Sequence, residues 1–292
     1  MIKFKFTSES METELSKTET RNSDDLMPDR HMHIIELITE SGFASIESMA
    51  SHFNVTPQTI RRDINKLDEL GYVRRYHGGA GLTSSSKNIS YQARKGICSV
   101  EKIRIAEFTA NHIPDYASLF INIGTTTEEV ARALGKTRKG LKIITNNLNV
   151  ATILGSREDF EVIIAGGMVR SRDLGITGDA TVDFIKQFKV DFGIIGVSGI
   201  DADGSLLDFD YHEVRVAKAI IKNSRKTYLI ADNSKFGRNA MVRLGDISEI
   251  DAIFTDSEPP KEFRSVLVEA GVKLHISSHQ NQNAAVSSLT KA

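Results

Sequence analysis

Two stretches of this sequence concentrate side chains that could do chemistry, one suited to nucleic-acid bases and the other to a small anion. The first runs Thr56-Pro57-Gln58-Thr59-Ile60-Arg61-Arg62-Asp63-Ile64-Asn65-Lys66-Leu67. Thr56 can offer its hydroxyl to an orphan backbone N–H, and Pro57 then falls where its missing N–H costs nothing, so a helix starts here. Ile60, Ile64 and Leu67 share one helical face, while Gln58, Arg62 and Asn65 point away from it. Gln, Asn and Arg make bidentate contacts to adenine and guanine edges in the major groove. The hydroxyls of Thr56 and Thr59 and the cations Arg61 and Lys66 suit phosphates. A solvated helix with surface arginines is the bland alternative for the same pattern.

The second stretch is Asn122-Ile123-Gly124-Thr125-Thr126-Thr127, set between an apolar run and a helix opening Glu128-Glu129-Val130. A glycine followed by threonines at a helix N-terminus offers close backbone approach, hydroxyls and free N–H groups, which suits a phosphate. Other turns could converge on it. Thr145-Asn146, Gly166-Gly167 with Arg170 behind, Asp210 and Glu213 with Lys218, and Asp232 with Lys235 each follow an apolar run. In an open parallel sheet such turns gather beyond the carboxyl ends of the strands, where ligands bind. Arg170, Lys218 and Lys235 are the expected anion partners, and Asn122, Asp210 and Glu213 the expected partners of ligand hydroxyls.

Elements must position these groups. Ile46, Met49, Ala50 and Phe53 have helical spacing, with Asn54 in a turn and Val55 closing the core, which makes a helix-turn-helix with the stretch from Thr56. His33 to Ile38 is a further amphipathic helix stopped at Gly42. After Gly71, Tyr72 to Tyr76 reads as a strand turned back at Gly78-Gly79, completing a winged helix whose basic cluster adds Arg74, Arg75 and His77. Farther on, Ser118–Ile121, Leu141–Ile144, Glu161–Ala165, Phe192–Gly196, Thr227–Ala231, Ala252–Thr255 and Val272–Ile276 are apolar runs separated mostly by helical segments. The expected fold class is therefore α/β, a mainly parallel sheet behind a winged helix.

The 292 residues suffice for two domains. We expect a disordered polar extension over 1–28, the winged helix over 29–82 and a serine-rich linker over 83–98. An effector-binding and oligomerisation domain over 99–276 and a polar tail over 277–292 complete the chain. The net charge of −1 does not announce a nucleic-acid binder, but basic residues cluster locally on the proposed reading surface. Cys98 is the sole cysteine, which excludes an intrachain disulfide. No apolar run approaches the roughly 20 residues a membrane helix needs, so the expected location is cytoplasmic.

Arg61-Arg62-Asp63-Ile64, Leu67, Gly71 and Arg75-Tyr76-His77-Gly78-Gly79-Ala80 resemble the signature of the DeoR family of bacterial repressors. Thr145-Asn146-Asn147-Leu148-Asn149, Phe209-Asp210-Tyr211-His212-Glu213 and Ser234-Lys235-Phe236-Gly237-Arg238 resemble its effector domain, most closely in the branch that governs glycerol-3-phosphate metabolism. The resemblance implies a ribose-5-phosphate-isomerase-like sensor domain, a phosphorylated polyol or sugar as effector with glycerol 3-phosphate first, operator DNA as partner, and a homodimer or homotetramer. The family usually carries Asp before its Gly-Thr-Thr turn. Asn122 replaces it here, which removes one acceptor for a ligand hydroxyl.

Two other classes compete with a repressor. In a sugar-phosphate isomerase, Asp208, Asp210, Glu213 or Asp232 could act as base, but catalysis has no need of a winged helix and a fold does not imply an activity. A ligand-free second domain serving only oligomerisation would have no use for Arg170, Lys218 and Lys235. We therefore expect a sensor with no catalytic residue, no cofactor and no metal, since no His/Cys set has ligand spacing.

Overall fold

In the computed structural model the described residues are 29–81, 88 and 91–277. The expected N-terminal extension, seven of the sixteen residues of the expected linker and nearly all of the polar tail lie outside them, and the rest of that linker folds partly as a helix.

The N-terminal module comprises α1 (Asp29–Ser41), β1 (Phe43–Ser45), α2 (Ile46–His52), α3 (Pro57–Glu69), β2 (Arg74–Tyr76) and β3 (Gly79–Gly81). Thr56 caps α3, its Oγ1 accepting from the Thr59 N–H at 3.2 Å, with Pro57 in the first turn as the sequence requires. Ile60, Ile64 and Leu67 pack with Ile34 and Ile38 of α1 and with Ile46 and Met49 of α2. The turn between α2 and α3 takes Asn54 into the left-handed region, which Asn tolerates better than most residues. β3 lies antiparallel between β1 and β2, so the wing is three-stranded. β1 escaped the sequence reading because three residues show too little alternation to mark a strand.

Asp63 sits on the inner side of α3 and ties it to α1. It accepts from Arg30 Nε at 2.7 Å and Arg30 Nη2 at 3.1 Å, with His31 Nε2 at 3.1 Å. Burial opposes its charge, but the hydrogen bonds from Arg30 and His31 outweigh that cost and hold the carboxyl below its ordinary range.

The second module begins with α4 (Tyr91–Gly96) and α5 (Ser99–Ala110), followed by β4 (Ser118–Ile121), α6 (Thr125–Thr137), β5 (Lys142–Thr145), α7 (Leu148–Leu154) and β6 (Glu161–Ile164). A hairpin of β7 (Met168–Val169) and β8 (Ile176–Thr177) leads to α8 (Asp179–Ile185) and β9 (Val190–Ile195). Then come β10 (Gly199–Ile200), β11 (Ser205–Asp208), α9 (Tyr211–Lys222), β12 (Ser224–Ile230), a 3-10 turn (Asn233–Lys235) and β13 (Val242–Asp246). The chain closes with β14 (Ala252–Thr255), α10 (Lys261–Glu269) and β15 (Lys273–Ile276).

A seven-stranded sheet in the order β15-β14-β12-β9-β4-β5-β6 is parallel throughout. Every apolar run identified in the sequence supplies one of its strands. Successive residues point to opposite faces. Leu119, Ile121, Ile143, Ile194 and Phe254 enter one core with α5 and α6, whereas Phe120, Ile144, Ile195 and Ile253 enter the other with α9 and α10. Burial on both faces is why these strands are continuously apolar. The antiparallel β10-β11-β13 sheet and the β7-β8 hairpin were not legible, being short excursions with little pattern.

Chain order reverses between β4 and β9, since β5 and β6 extend one way and β12, β14 and β15 the other. Such a switch point leaves a crevice beyond the strand ends.

Replacing Asp63 by Ala strands the Arg30 and His31 donors, and we expect a loss of about 1–3 kcal/mol in the stability of the N-terminal module. Because the folded-state pKa is lowered, the parent's advantage is present at neutral pH and disappears as acid titrates the carboxylate. Denaturant melts of parent and variant at neutral and acid pH measure both effects.

Candidate functional site

The N-terminal module leaves one helix face free. Gln58, Arg61, Arg62, Asn65 and Lys66 are exposed, as is the capping Thr56, and Thr59 is half-buried. Their direction follows from the buried Ile60, Ile64 and Leu67. On the wing, Arg75 and His77 are also exposed, but Arg74 is turned onto the second module, donating from Nη1 to the Gly237 carbonyl at 2.6 Å. In this arrangement its guanidinium does not share the outward surface assigned to it from sequence.

At the switch point between β4 and β9 a cavity is lined by Gly124, Thr125, Thr126 and Thr127 from one side and by Gly196, Val197 and Ser198 from the other. Asp208, Glu213, Lys235, Asn88 and Arg94 complete its polar wall. Gly124 stands at the N-cap of α6 with φ 155°, and no side chain caps the helix. A Cβ there would lie 3.2 Å from Thr127 Oγ1, so glycine keeps the approach open. The first-turn N–H groups and the Thr125 and Thr126 hydroxyls present donors under a favourable helix dipole, the arrangement that holds phosphates. Thr127 lines the wall, but its hydroxyl is spent on the carbonyls of Asn122 at 2.8 Å and Gly124 at 2.7 Å.

The cations fall out differently from the sequence expectation. Lys235 lines the cavity, and burial pulls its ammonium down to about 8. Arg170 does not face the cradle. Its guanidinium is clamped by Asp173 at 2.7 Å, Glu213 at 2.8 Å and Asp210 at 3.0 Å. Burial opposes that charge, yet the surrounding carboxylates hold its pKa above the usual arginine value. Four of its five donors go to the three carboxylates, and the side chain is not part of the cavity wall. Lys218 is exposed on α9 and outside the cavity wall.

The cation that the sequence reading missed is Arg94, on a helix inside the segment taken as linker. Its Nε is buried without a hydrogen-bond partner, and Nη2 lies 3.8 Å from Asp173. Two interactions fix α4. Tyr91 donates its hydroxyl to Glu128 of α6 at 2.8 Å, and the buried Lys102 ammonium caps the far end through the carbonyls of Arg94 and Ile97. The signal was present as Tyr91-Gln92-Ala93-Arg94-Lys95, a basic helical turn, but six residues are too few for periodicity.

Of the remaining expected residues, Asp210 caps α9, with Oδ1 accepting from the His212 and Glu213 N–H groups and Oδ2 from Arg170 and Arg172. Thr145 Oγ1 donates to the Ile121 carbonyl at 2.7 Å, and Gly166 and Gly167 pack against Thr181. Asn122, Asn146 and Asp232 are buried at the ends of β4, β5 and β12, each keeping one side-chain oxygen without a partner. Asp208 and Glu213 were weighed from sequence, and both line the wall. Burial pushes both carboxyls up, and the Asp208 charge adds to the rise at Glu213, which reaches about 7 despite Arg170. A carboxyl raised to about 7 can donate to a hydroxyl when protonated and accept from one when ionised.

Residues 30–86 match the model of the DeoR-like helix-turn-helix domain, and residues 98–257 that of the DeoR C terminal sensor domain. The chain is 55% identical over 247 residues to the glycerol-3-phosphate regulon repressor of Escherichia coli (strain K12), covering 85% of this chain and 98% of that protein. The glycerol-3-phosphate regulon repressor of Haemophilus influenzae is 54% identical over 230 residues, 79% of this chain and 89% of its own. The HTH-type transcriptional repressor CsqR of Escherichia coli is 40% identical over 245 residues, 84% and 94% respectively. Among solved structures, ribose 5 phosphate isomerase A from Neisseria gonorrhoeae aligns over 46% of this chain and 52% of its own, at 19% identity and a TM-score of 0.34.

If the cradle takes an anion, Arg94→Ala is expected to weaken binding of a small phosphate ester by roughly tenfold to a hundredfold, the range for losing a charge-assisted hydrogen bond, and Lys218→Ala to leave it unchanged. Isothermal titration calorimetry reads both. The second expectation concerns pH. Lys235 is charged below about 8 and neutral above it, so affinity for the phosphate falls as pH rises through that value, and the fall is absent in Lys235→Met.

Proposed function

The chain belongs to the DeoR family of helix-turn-helix regulators, and from that premise we propose that it represses genes of glycerol-3-phosphate uptake and catabolism. The observation that carries this reading is the reach of the similarity. A single alignment to a glycerol-3-phosphate regulon repressor spans both the exposed face of α3 and the anion cradle at Gly124.

In this reading α3 lies in the major groove, with Gln58, Arg62 and Asn65 toward base edges and Arg61, Lys66, Arg75 and His77 toward phosphates. A second copy of the chain, held through the sensor domain, presents its own α3 to the other half-site. Glycerol 3-phosphate places its phosphate at Thr125 and Thr126 between Arg94 and Lys235, and its hydroxyls toward Asp208, Glu213 and Ser198. The carboxyl pair serves as a hydroxyl-binding wall in a non-enzymatic sensor of the cytoplasm. For the ligand to release DNA it must bind the DNA-incompetent arrangement more tightly than the competent one.

The test is operator-fragment binding by fluorescence anisotropy at fixed salt, because phosphate contacts make affinity steeply salt-dependent. Glycerol 3-phosphate is expected to release the fragment, and fructose and ribose phosphates to leave it bound. Arg62→Ala is expected to weaken operator binding by about 1–3 kcal/mol, the worth of one bidentate base contact. Release by another phosphate alone would move the protein to a different pathway, and tight binding that no phosphate disturbs would remove the sensor reading.

A further inference from the structure

One segment of the sensor domain touches both the cavity and the wing. It begins in the 3-10 turn Asn233–Lys235 and ends at Arg238. On the cavity side, Lys235 forms part of the wall. Arg238 is buried, and it donates from Nη1 to the Ser198 carbonyl at 3.0 Å and from Nη2 to Asn88 Oδ1 at 2.9 Å. Ser198 and Asn88 both line the cavity, and Asn88 lies in the chain that joins the two modules.

On the wing side, Arg74 of β2 grips the same segment, donating from Nη1 to the Gly237 carbonyl at 2.6 Å and from Nη2 to the Phe236 carbonyl at 3.3 Å. Gly237 has φ 67°, a left-handed conformation that L side chains rarely adopt, and its N–H is anchored to the Ile200 carbonyl at 2.8 Å. The Arg238 guanidinium carbon lies 5.1 Å from the ring centroid of Phe209 and 5.9 Å from that of Tyr76, a wing residue. A single buried arginine thus ties the cavity wall to the wing, and two carbonyls next to Lys235 receive the wing's Arg74.

We propose that Lys235–Arg238 is a latch coupling ligand to DNA, with Arg238 its positioning residue and Arg74 its catch. The proposal rests on the phosphorylated-effector reading above. An anion in the cradle draws on Lys235 at one end of the segment and on the Asn88 side of the wall at the other, and so stabilises the geometry in which the Phe236 and Gly237 carbonyls meet Arg74. Latched, the wing is held on the sensor domain and Arg74 is withdrawn from DNA phosphates. The ligand-bound latch and the DNA-bound wing compete for the same guanidinium, which gives the differential contact that an antagonistic effector requires.

The experiment measures the operator Kd by anisotropy with and without saturating glycerol 3-phosphate, in the parent, Arg74→Ala and Arg74→Lys, with ligand binding to the DNA-free proteins followed by calorimetry. Removing a cation weakens a phosphate contact in either state, so the readout is the ratio of the two Kd values rather than either alone. We expect the ratio to fall at least tenfold toward one in Arg74→Ala while glycerol 3-phosphate still binds, and to fall less in Arg74→Lys, which keeps the charge but on a single donor nitrogen. Arg238→Lys, which cannot span Ser198 and Asn88 together, is expected to lower the ratio as well. An unchanged ratio in Arg74→Ala overturns the latch, as does loss of ligand binding in that variant, which would place Arg74 in the ligand site. A parent ratio of one would instead overturn the proposed function on which the latch rests.

Discussion

Seven parallel strands must all discharge their carboxyl ends on one side, and the chain reverses its direction of travel across them between β4 and β9. Adjacent strands that continue in the same direction are bridged by neighbouring crossovers, but at the reversal the two connections diverge and leave a crevice. The turn after β4 enters α6 through Gly124, while the turn after β9 passes through Gly196-Val197-Ser198, and the cavity lies between them. The two apolar cores on either face of the sheet pack the strands that flank this gap. Everything polar at the site is arranged around that opening.

Charge is distributed there with little redundancy. Asp173, Asp210 and Glu213 surround Arg170, and the arginine is consumed in holding them. Of these only Glu213 reaches the cavity wall, so the arginine fixes that carboxyl without itself lining the cavity. Arg94 and Lys235 are left to meet an anion, one with a buried N–H lacking a partner and the other with its ammonium destabilised by burial. Both are costs that an anion would relieve under the proposed function, and both residues belong to segments that lead toward the DNA-binding module. In the proposed function, ligand energy would therefore enter the molecule where the two modules meet.

Much of this was legible in the sequence because the relevant patterns are long or chemically sharp. The Ile60, Ile64 and Leu67 period fixed the outward face of α3, and continuous apolar runs marked each strand of the parallel sheet. Gly124 and its threonines, read as a turn beyond a strand end, do line the cavity there. The failures have a common cause. Arg170 and Lys218 were chosen as cations near strand ends, but sequence does not reveal which carboxylates a cation meets. Arg170 meets three, and Lys218 faces away. Arg94 was overlooked because α4 is too short to show a period and is held by contacts from Tyr91 to Glu128 and from Lys102 to the Arg94 and Ile97 carbonyls. Arg74 looked like a DNA contact by charge and position, and only the fold shows the Gly237 carbonyl beside it.

The central claim is that the cradle at Gly124 and the face of α3 exclude one another's ligands. Thermodynamic linkage makes this directly measurable, since an effector that weakens operator binding by some factor must itself be weakened by the operator by the same factor. The decisive measurement is the affinity of glycerol 3-phosphate for the protein alone and for the protein saturated with operator fragment, at one salt concentration. The account requires a lower affinity in the presence of DNA, by the factor with which the ligand releases that DNA. Equal affinities with and without operator would contradict it.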